Sequence, residues 1–368
     1  MALKSQFIYL RGLRQVDHTV FCVSDGQKTY RDPATNRQLP YSSGQQVKRS
    51  ILDEMALVLD ENRAPITFNF TLATAKDGKK TFGQEEPWSP CDPAFADQLI
   101  GGWMKASKGG KEGAPIKRRS PLSISAMRPL HPSLAGVDTT ESATFDRSDQ
   151  PEQHKIRVLD GNGNEVSKDE FLAFLQSESR NVSLRKWIPS DQVGPRATGL
   201  FVFDVAIDLR TLFSVSLNTL EPELAPDKIA ELKAADWQST SDGTRLICPE
   251  TRRNAIIPAL AHSLVYWRVT SNQSRTYSPQ NTLAIARSNN ANRLSMAIRA
   301  DLTESSEYRR AEPVLEPTND VSLYTALTAK GYIREIEGSV DALDRAVADL
   351  AAELKSFDYD YGVAEMAS

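Results

Sequence analysis

The sequence predicts an α+β protein on a βαββαβ sheet of ferredoxin-like or RNA-recognition type, broken by large excursions. Three observations carry this. A β-patterned opening, QFIYLRGLRQVDHTVFCV, precedes an apolar helical stripe over 44–59. The run GLFVFDVAIDLRTLFSV (199–215) alternates like a strand and precedes a second patterned helix and the short strand NTLAIARS. Between these two halves, residues 76–175 are rich in Gly, Pro, Lys and Ser, the texture of an insertion with long loops.

Taken in order, the first strand carries Gly12 at a candidate bend. QKTYRDPATNRQLPYSSG reads as a polar loop. In the helix Gly44–Leu59, Val47, Ile51, Leu52, Met55, Val58 and Leu59 form the buried stripe, with Ser42 or Ser43 as N-cap. ITFNFTLATA (66–75) reads as the returning strand, with Ile66, Phe68, Phe70 and Leu72 on one face. IRVLDG, a hairpin turn at Gly161-Asn162-Gly163 and the helix KDEFLAFLQS close the insertion. SRNVSLRKWIPSDQVGPRATG (179–199) is polar and turn-prone. Helices follow at PDKIAELKAAD, at ETRRNAIIPALAHSLVYWRV and at the C-terminal GSVDALDRAVADLAAELKSF, whose outer face is acidic. No internal repeat occurs.

The chain has 368 residues, 40% hydrophobic and 25% charged, enough for one elaborated domain or two. A net charge of −4 argues against indiscriminate nucleic-acid binding and leaves room for local basic patches. Cys22, Cys91 and Cys248 lie far apart and give neither a disulfide framework nor a zinc knuckle, which points to a reducing cytoplasm. There is no signal-peptide pattern and no run of 18 apolar residues, so a soluble protein away from membranes is expected.

Single histidines at 18, 131, 154 and 262 have no metal-ligand spacing, and the sequence lacks GxSxG, P-loop and GxGxxG motifs. No metal or cofactor is expected. Asp204 and Asp208, four apart on one strand face, form either a metal-binding carboxylate pair or a salt-bridged sheet face. Asp17-His18 reads as a turn cap or, alternatively, as a general base.

Cations give the sharper signal. Lys105, Lys108, Lys111, Lys117, Arg118 and Arg119 face a single Glu112, among glycines that let backbone approach phosphate. The alternative is a solvated loop. Arg180, Arg185, Lys186 and Arg196 bracket Trp187, the combination that single-stranded RNA needs for phosphate tracking and base stacking. Lys48 and Arg49 sit in the first turn of a helix, where the backbone dipole disfavours cations and an external anion would favour them.

Ser43-Gly44-Gln45 followed by Val47-Lys48-Arg49 resembles the S-[SG]-Q-x-x-[KR]-R signature that opens the first helix of the CRISPR Cascade backbone subunit, the Cas-seven or DevR-like branch of the RAMP superfamily. GLFVFDVAIDLRTL is similar to that family's central palm strand. LAHSLVYWR with SNQSRTYSP resembles its helix followed by a G-[AG]-K-[QR]-[SR] loop, which Gln273-Ser274-Arg275 match only at the end. The resemblance implies a palm in two parts (1–75 and 199–300), a finger insertion (76–178), a thumb loop (179–198) and a C-terminal extension (301–368). It implies a guide-RNA-binding subunit that oligomerises along a CRISPR RNA, with target DNA, further copies of itself and other Cascade subunits as partners. Guide contacts would come from Arg11, Arg14, Ser43, Gly44, Gln45, Lys48, Arg49, Arg185, Lys186, Trp187, Arg196, Gln273 and Arg275. The 105–119 cations would touch guide or target. The competing expectation is a metal-dependent RAMP-type endoribonuclease using Asp17 or the Asp204/Asp208 pair.

Overall fold

A computed structural model describes residues 6–21, 27–74, 80–84, 86–105, 115–138, 143–145, 157–181, 186–188, 195–269, 278–303 and 310–360. The chain forms two compact units, one of residues 138–196 and one of the rest.

The larger unit is built on one sheet. Its strands are β1 (Phe7–Thr19), β2 (Leu122–Ile124), β3 (Arg128–Pro129), β4 (Ala135–Asp138), β5 (Arg196–Asp208), β6 (Asn281–Ser288) and β7 (Ser322–Thr325), in the order β4-β5-β1-β6-β7, with β2 and β3 also on β5. β1 runs antiparallel to both β5 and β6, and β5 antiparallel to β2 and β3. With helices α1 (Gly44–Leu59) between β1 and β2, and α5 (Glu250–Tyr266) between β5 and β6, this is the βαββαβ arrangement. Its last, first, third and second strands lie side by side.

The second strand is not where the sequence suggests. Phe70–Thr74 pairs instead with Lys80–Gln84 in a separate ribbon, and Leu122–Pro129 takes the place beside β5. Alternation marks a strand but not its partner, which is a tertiary choice. The true second strand is interrupted between Ile124 and Arg128, so its period is too short to read. On the ribbon Phe70, Leu72 and Phe82 stay 56–69% exposed, Phe70 and Phe82 stacking at 5.2 Å. Ile66 and Phe68, just before it, are exposed too.

Alternation sorts the sheet's faces. Ile8, Leu10, Phe201, Phe203, Val205 and Ile207 face α1 and α5, packing with Val47, Ile51, Met55, Ile256, Leu260 and Leu264. Leu13, Leu200, Val202 and Leu283 face the opposite way, against α6 (Ala291–Ala297) and the ribbon Ile298–Leu302/Ala311–Leu315. Gly12 makes no bend. It sits opposite Phe203, whose ring carbon Cε1 would lie 2.2 Å from any Cβ there. Of the helix stripe expected on α1, Val58 is the exception, 45% exposed.

α1 and α5 run antiparallel, as two contacts show. Arg252 grips Glu61 near the end of α1 and the beginning of α5, and His262 Nδ1 lies 3.8 Å from Glu54. The C-terminal helix α7 (Ala342–Ser356) buries Ala342, Ala346, Leu350 and Leu354, and Arg287 of β6 reaches its Glu353 at 2.8 Å. Two shorter helices complete the set, α2 (Ala96–Gly101) and α4 (Pro226–Ala234).

The smaller unit holds the ribbon Ala143–Phe145/Lys186–Ile188, the hairpin Val158–Leu159/Glu165–Val166 and helix α3 (Lys168–Ser177), capped by Ser167. The hairpin turns at Gly161–Gly163 as the sequence suggests. Gly163 takes φ 89°, and Asp160 accepts the amides of Asn162 and Asn164. This unit overlaps only part of the insertion and thumb anticipated at 76–178 and 179–198. Residues 86–105 and 115–137 pack with the larger unit because Leu99, Ile100, Trp103, Leu122 and Met127 join its core.

Candidate nucleic-acid interface

At the start of α1, Ser43 is the N-cap, its hydroxyl accepting the Gln46 amide at 3.3 Å. Ser42 exchanges two backbone hydrogen bonds with Met127, at 3.0 and 2.9 Å, and so pins the helix start to the second-strand segment. Gly44 belongs to that junction, because a Cβ there would lie 2.5 Å from the Ile124 carbonyl oxygen. Gln45 points to solvent, and the amides of Gly44 and Gln45 have no acceptor among the described residues.

The two first-turn cations divide. Lys48 Nζ donates to the Gly101 carbonyl at 2.7 Å, at the C-terminal end of α2, where a cation meets the negative end of a helix. Burial and the neighbouring Arg118 push its pKa down to about 8. Lys48 therefore has a partner inside the chain, the C-terminal end of α2, at the place where the sequence expects a guide phosphate. Arg49 stays exposed, 3.6 Å from Asp53.

Two more candidates are structural. Arg14 is fully buried, its guanidinium donating to the Trp267 and Val265 carbonyls at 2.6 and 3.2 Å. Arg118 is 3% exposed and donates to the Leu99, Thr211 and Ser214 carbonyls. Neither can reach a phosphate in this arrangement. Arg11 pairs with Asp204 at 3.2 Å and Arg196 is buried at the head of β5.

The remaining described cations of 105–119 are dispersed rather than gathered. Lys105 Nζ lies 4.6 Å from the centre of the Trp88 ring, Lys117 is 3.6 Å from Glu221, and Arg119 is exposed. Lys108, Lys111, Arg185, Gln273, Ser274 and Arg275 lie outside the described residues, as do the side chains of Lys186 and Trp187. Trp187 itself pairs with Thr144 in the small unit's ribbon.

The carboxylate pair is spoken for on each side. Asp204 bonds Arg11, with burial raising its pKa, and Asp208 chelates Arg210 at 2.8 and 2.9 Å. Asp17 donates its amide to Ser278 Oγ at 3.3 Å, and His18 adopts a left-handed φ of 43°. Among the described residues, no group of three or more His, Cys, Asp or Glu could hold a metal ion.

Sequence reading passed over a second basic surface. The ribbon Thr29–Arg31/Gln38–Pro40 and β3 place Lys28, Arg37 and Arg128 on the side of Tyr30, beside the α1 start, with Arg31 on the ribbon's other face. Half of it was legible, since KTYRDPATNRQLPY interleaves cations and tyrosines. Arg128 arrives from 98 positions away in the chain, and no local pattern announces it.

No protein-family model matches the sequence, and no curated protein matches it. Solved structures do. The chain is similar, at 10% identity and a TM-score of 0.41, to a chain described as "CRISPR RNA-guided surveillance complex, pre-nicking", over 95% of its own length and 88% of the other's. A second, described as "CRISPR RNA-guided surveillance complex", matches at 10% identity and a TM-score of 0.35, over 95% and 84%. No described helix is long and apolar enough to cross a membrane.

Proposed function

We propose that this protein is a non-catalytic, guide-RNA-binding backbone subunit of a CRISPR effector complex. It would oligomerise along the CRISPR RNA and present it for pairing with target DNA. One observation carries the reading. The antiparallel pairing of α1 with α5, through Glu61–Arg252 and Glu54–His262, sends two motif-bearing segments to the same end of the sheet. One is the α1 start with its Ser43-Gly44-Gln45 signature. The other is the end of α5, where LAHSLVYWR closes on Trp267 and Arg268 and after which the resemblance expects a nucleic-acid loop.

That end offers what a phosphate chain needs. It has unoccupied helix-start amides, the exposed guanidinium of Arg49 one turn further along α1, and the exposed Arg268 beyond α5. A subunit holding its guide this way reads backbone and shape and leaves sequence to base pairing. The exposed ribbon carrying Phe70, Leu72 and Phe82 suits an assembly protein, because apolar surface of that kind marks interaction sites. Asp204 and Asp208 already neutralise arginines, so nothing in their geometry favours the endoribonuclease reading.

The test is co-expression with a CRISPR array and its processing enzyme, followed by absorbance ratio, RNA length and particle mass. Wild type should carry guide-length RNA in a large particle, and Arg49→Glu/Arg268→Glu should carry much less. RNA-free monomer for both, with the rest of the operon present, would sink the reading.

A further inference from the structure

We propose that the surface formed by Lys28, Tyr30, Arg37, Tyr41 and Arg128 is a second single-stranded nucleic-acid site. It would stack one base on the Tyr30–Arg128 platform and hold the flanking phosphates with the other cations. This deepens the guide-binding reading and rests on it.

The platform is assembled from three stretches of chain. Arg128 Cζ lies 5.3 Å from the centre of the Tyr30 ring, and Tyr41 meets the same ring edge-on at 5.9 Å. Tyr30 and Tyr41 are half-buried, which fixes their rings while leaving an accessible surface. A tyrosine and a guanidinium held in that relation present adjoining flat surfaces on which bases of any identity can stack.

The surrounding charge is predominantly positive. Lys28, Arg31, Arg37 and Arg128 are exposed, and none is ion-paired with a carboxylate among the described residues. Arg37 Nη1 donates to the Pro132 carbonyl at 2.8 Å, so its side chain is aimed while it keeps free guanidinium nitrogens, and Arg31, on the ribbon's other face, is held by Asn36 Oδ1 at 2.6 Å. Asp32 is the neighbouring carboxylate, and one of its oxygens takes the Thr35 amide and hydroxyl at 2.8 and 2.7 Å. Three cations without an ion pair, Lys28, Arg37 and Arg128, beside two tyrosines on a chain of net charge −4 are the footprint of a polyanion.

Position supports the same partner. Tyr41 precedes Ser42, whose two hydrogen bonds to Met127 tie the platform's two sides together beside the α1 start. A strand leaving the helix-start amides would pass onto this surface.

The test uses full-length protein and fluorescein-labelled 12-nucleotide oligouridine and oligodeoxythymidine, with binding followed against salt. Tyr30→Ala and Arg128→Gln should each weaken binding by roughly tenfold, whereas Tyr30→Phe should stay within about twofold because the stacking face survives. Far-UV dichroism and melting of each variant establish that it is folded. RNA and DNA probes bound alike would assign the site to phosphates and bases, and preference for one would name the physiological strand. Two failures are separable. If wild type and Arg49→Glu/Arg268→Glu differ but the Tyr30 and Arg128 variants match wild type, the second site is wrong and the guide-binding reading stands. If wild type binds neither probe and carries no RNA from cells, both are wrong.

Discussion

The guanidinium carbon of Arg14 lies 3.9 Å from the centre of the Trp267 ring, and both side chains are fully buried. The cation comes from the middle of β1, and the ring stands just past the end of α5. Arg14 closes that helix, donating to the Val265 carbonyl, which Thr282 Oγ1 also reaches, and to the Trp267 carbonyl, which has no other donor among the described residues. Its pKa falls to about 9, first through burial and then through Arg268, and it stays charged at neutral pH.

Arg14→Ala should therefore cost about 3 kcal/mol or more, since it empties a packed volume and strands the Trp267 carbonyl. Arg14→Lys keeps the charge but loses the flat stacking surface and the forked donors, and should cost less than Arg14→Ala yet remain clearly destabilising. Urea unfolding of the two variants measures this. Equal stability of Arg14→Lys and wild type would show that charge alone closes the helix.

Gly12 and Phe203 make a second coupled pair. A methyl at position 12 would collide with the Phe203 ring, so Gly12→Ala should destabilise by ~1–3 kcal/mol. Phe203→Leu removes the obstructing ring atoms. In the double variant the cost of Gly12→Ala should shrink by more than about 0.5 kcal/mol, and strict additivity would show that the glycine is needed for some other reason.

These two pairs also show what the sequence reveals and what it hides. α1, α5 and β6 are readable because their apolar spacing is long and regular, and their observed ends lie close to those read from the pattern. Gly12 and Gly44 are visible as glycines, but the atoms that demand them, Phe203 and the Ile124 carbonyl, come from strands 191 and 80 positions on. Buried arginines mislead for the same reason. Arg14 and Arg118 look like surface cations until the carbonyls that bind them are in place. Lys48 is the sharpest case, because a cation at the positive end of one helix is explained by the negative end of another.

The exposed ribbon gives a prediction of the opposite kind. Phe70→Thr/Leu72→Thr/Phe82→Thr removes apolar surface that is already in water, so the melting temperature of the isolated protein should change little. If the ribbon contacts a neighbouring copy in the assembled particle, the same variant should yield smaller particles when co-expressed with guide RNA. A large drop in melting temperature would instead show that the ribbon packs within the chain.

Lys48 makes the stability of the fold pH-dependent in a defined direction. Its pKa is about 8 in the folded protein against an ordinary value of 10.5. Below about 8 both folded and unfolded chains hold the proton, and the folded state bears the cost of a buried charge. Between about 8 and 10.5 the unfolded chain keeps the proton while the folded one has released it, so this residue's contribution rises with pH. Lys48→Met keeps the stem and has no such charge. Measured by urea unfolding at pH 7.5 and pH 9.5, wild type should gain on Lys48→Met by on the order of 1 kcal/mol, allowing for partial solvent access. Should the difference stay flat, or move the other way, Lys48 would be exchanging its proton with solvent as an ordinary surface lysine does, and its place against the Gly101 carbonyl would be wrong.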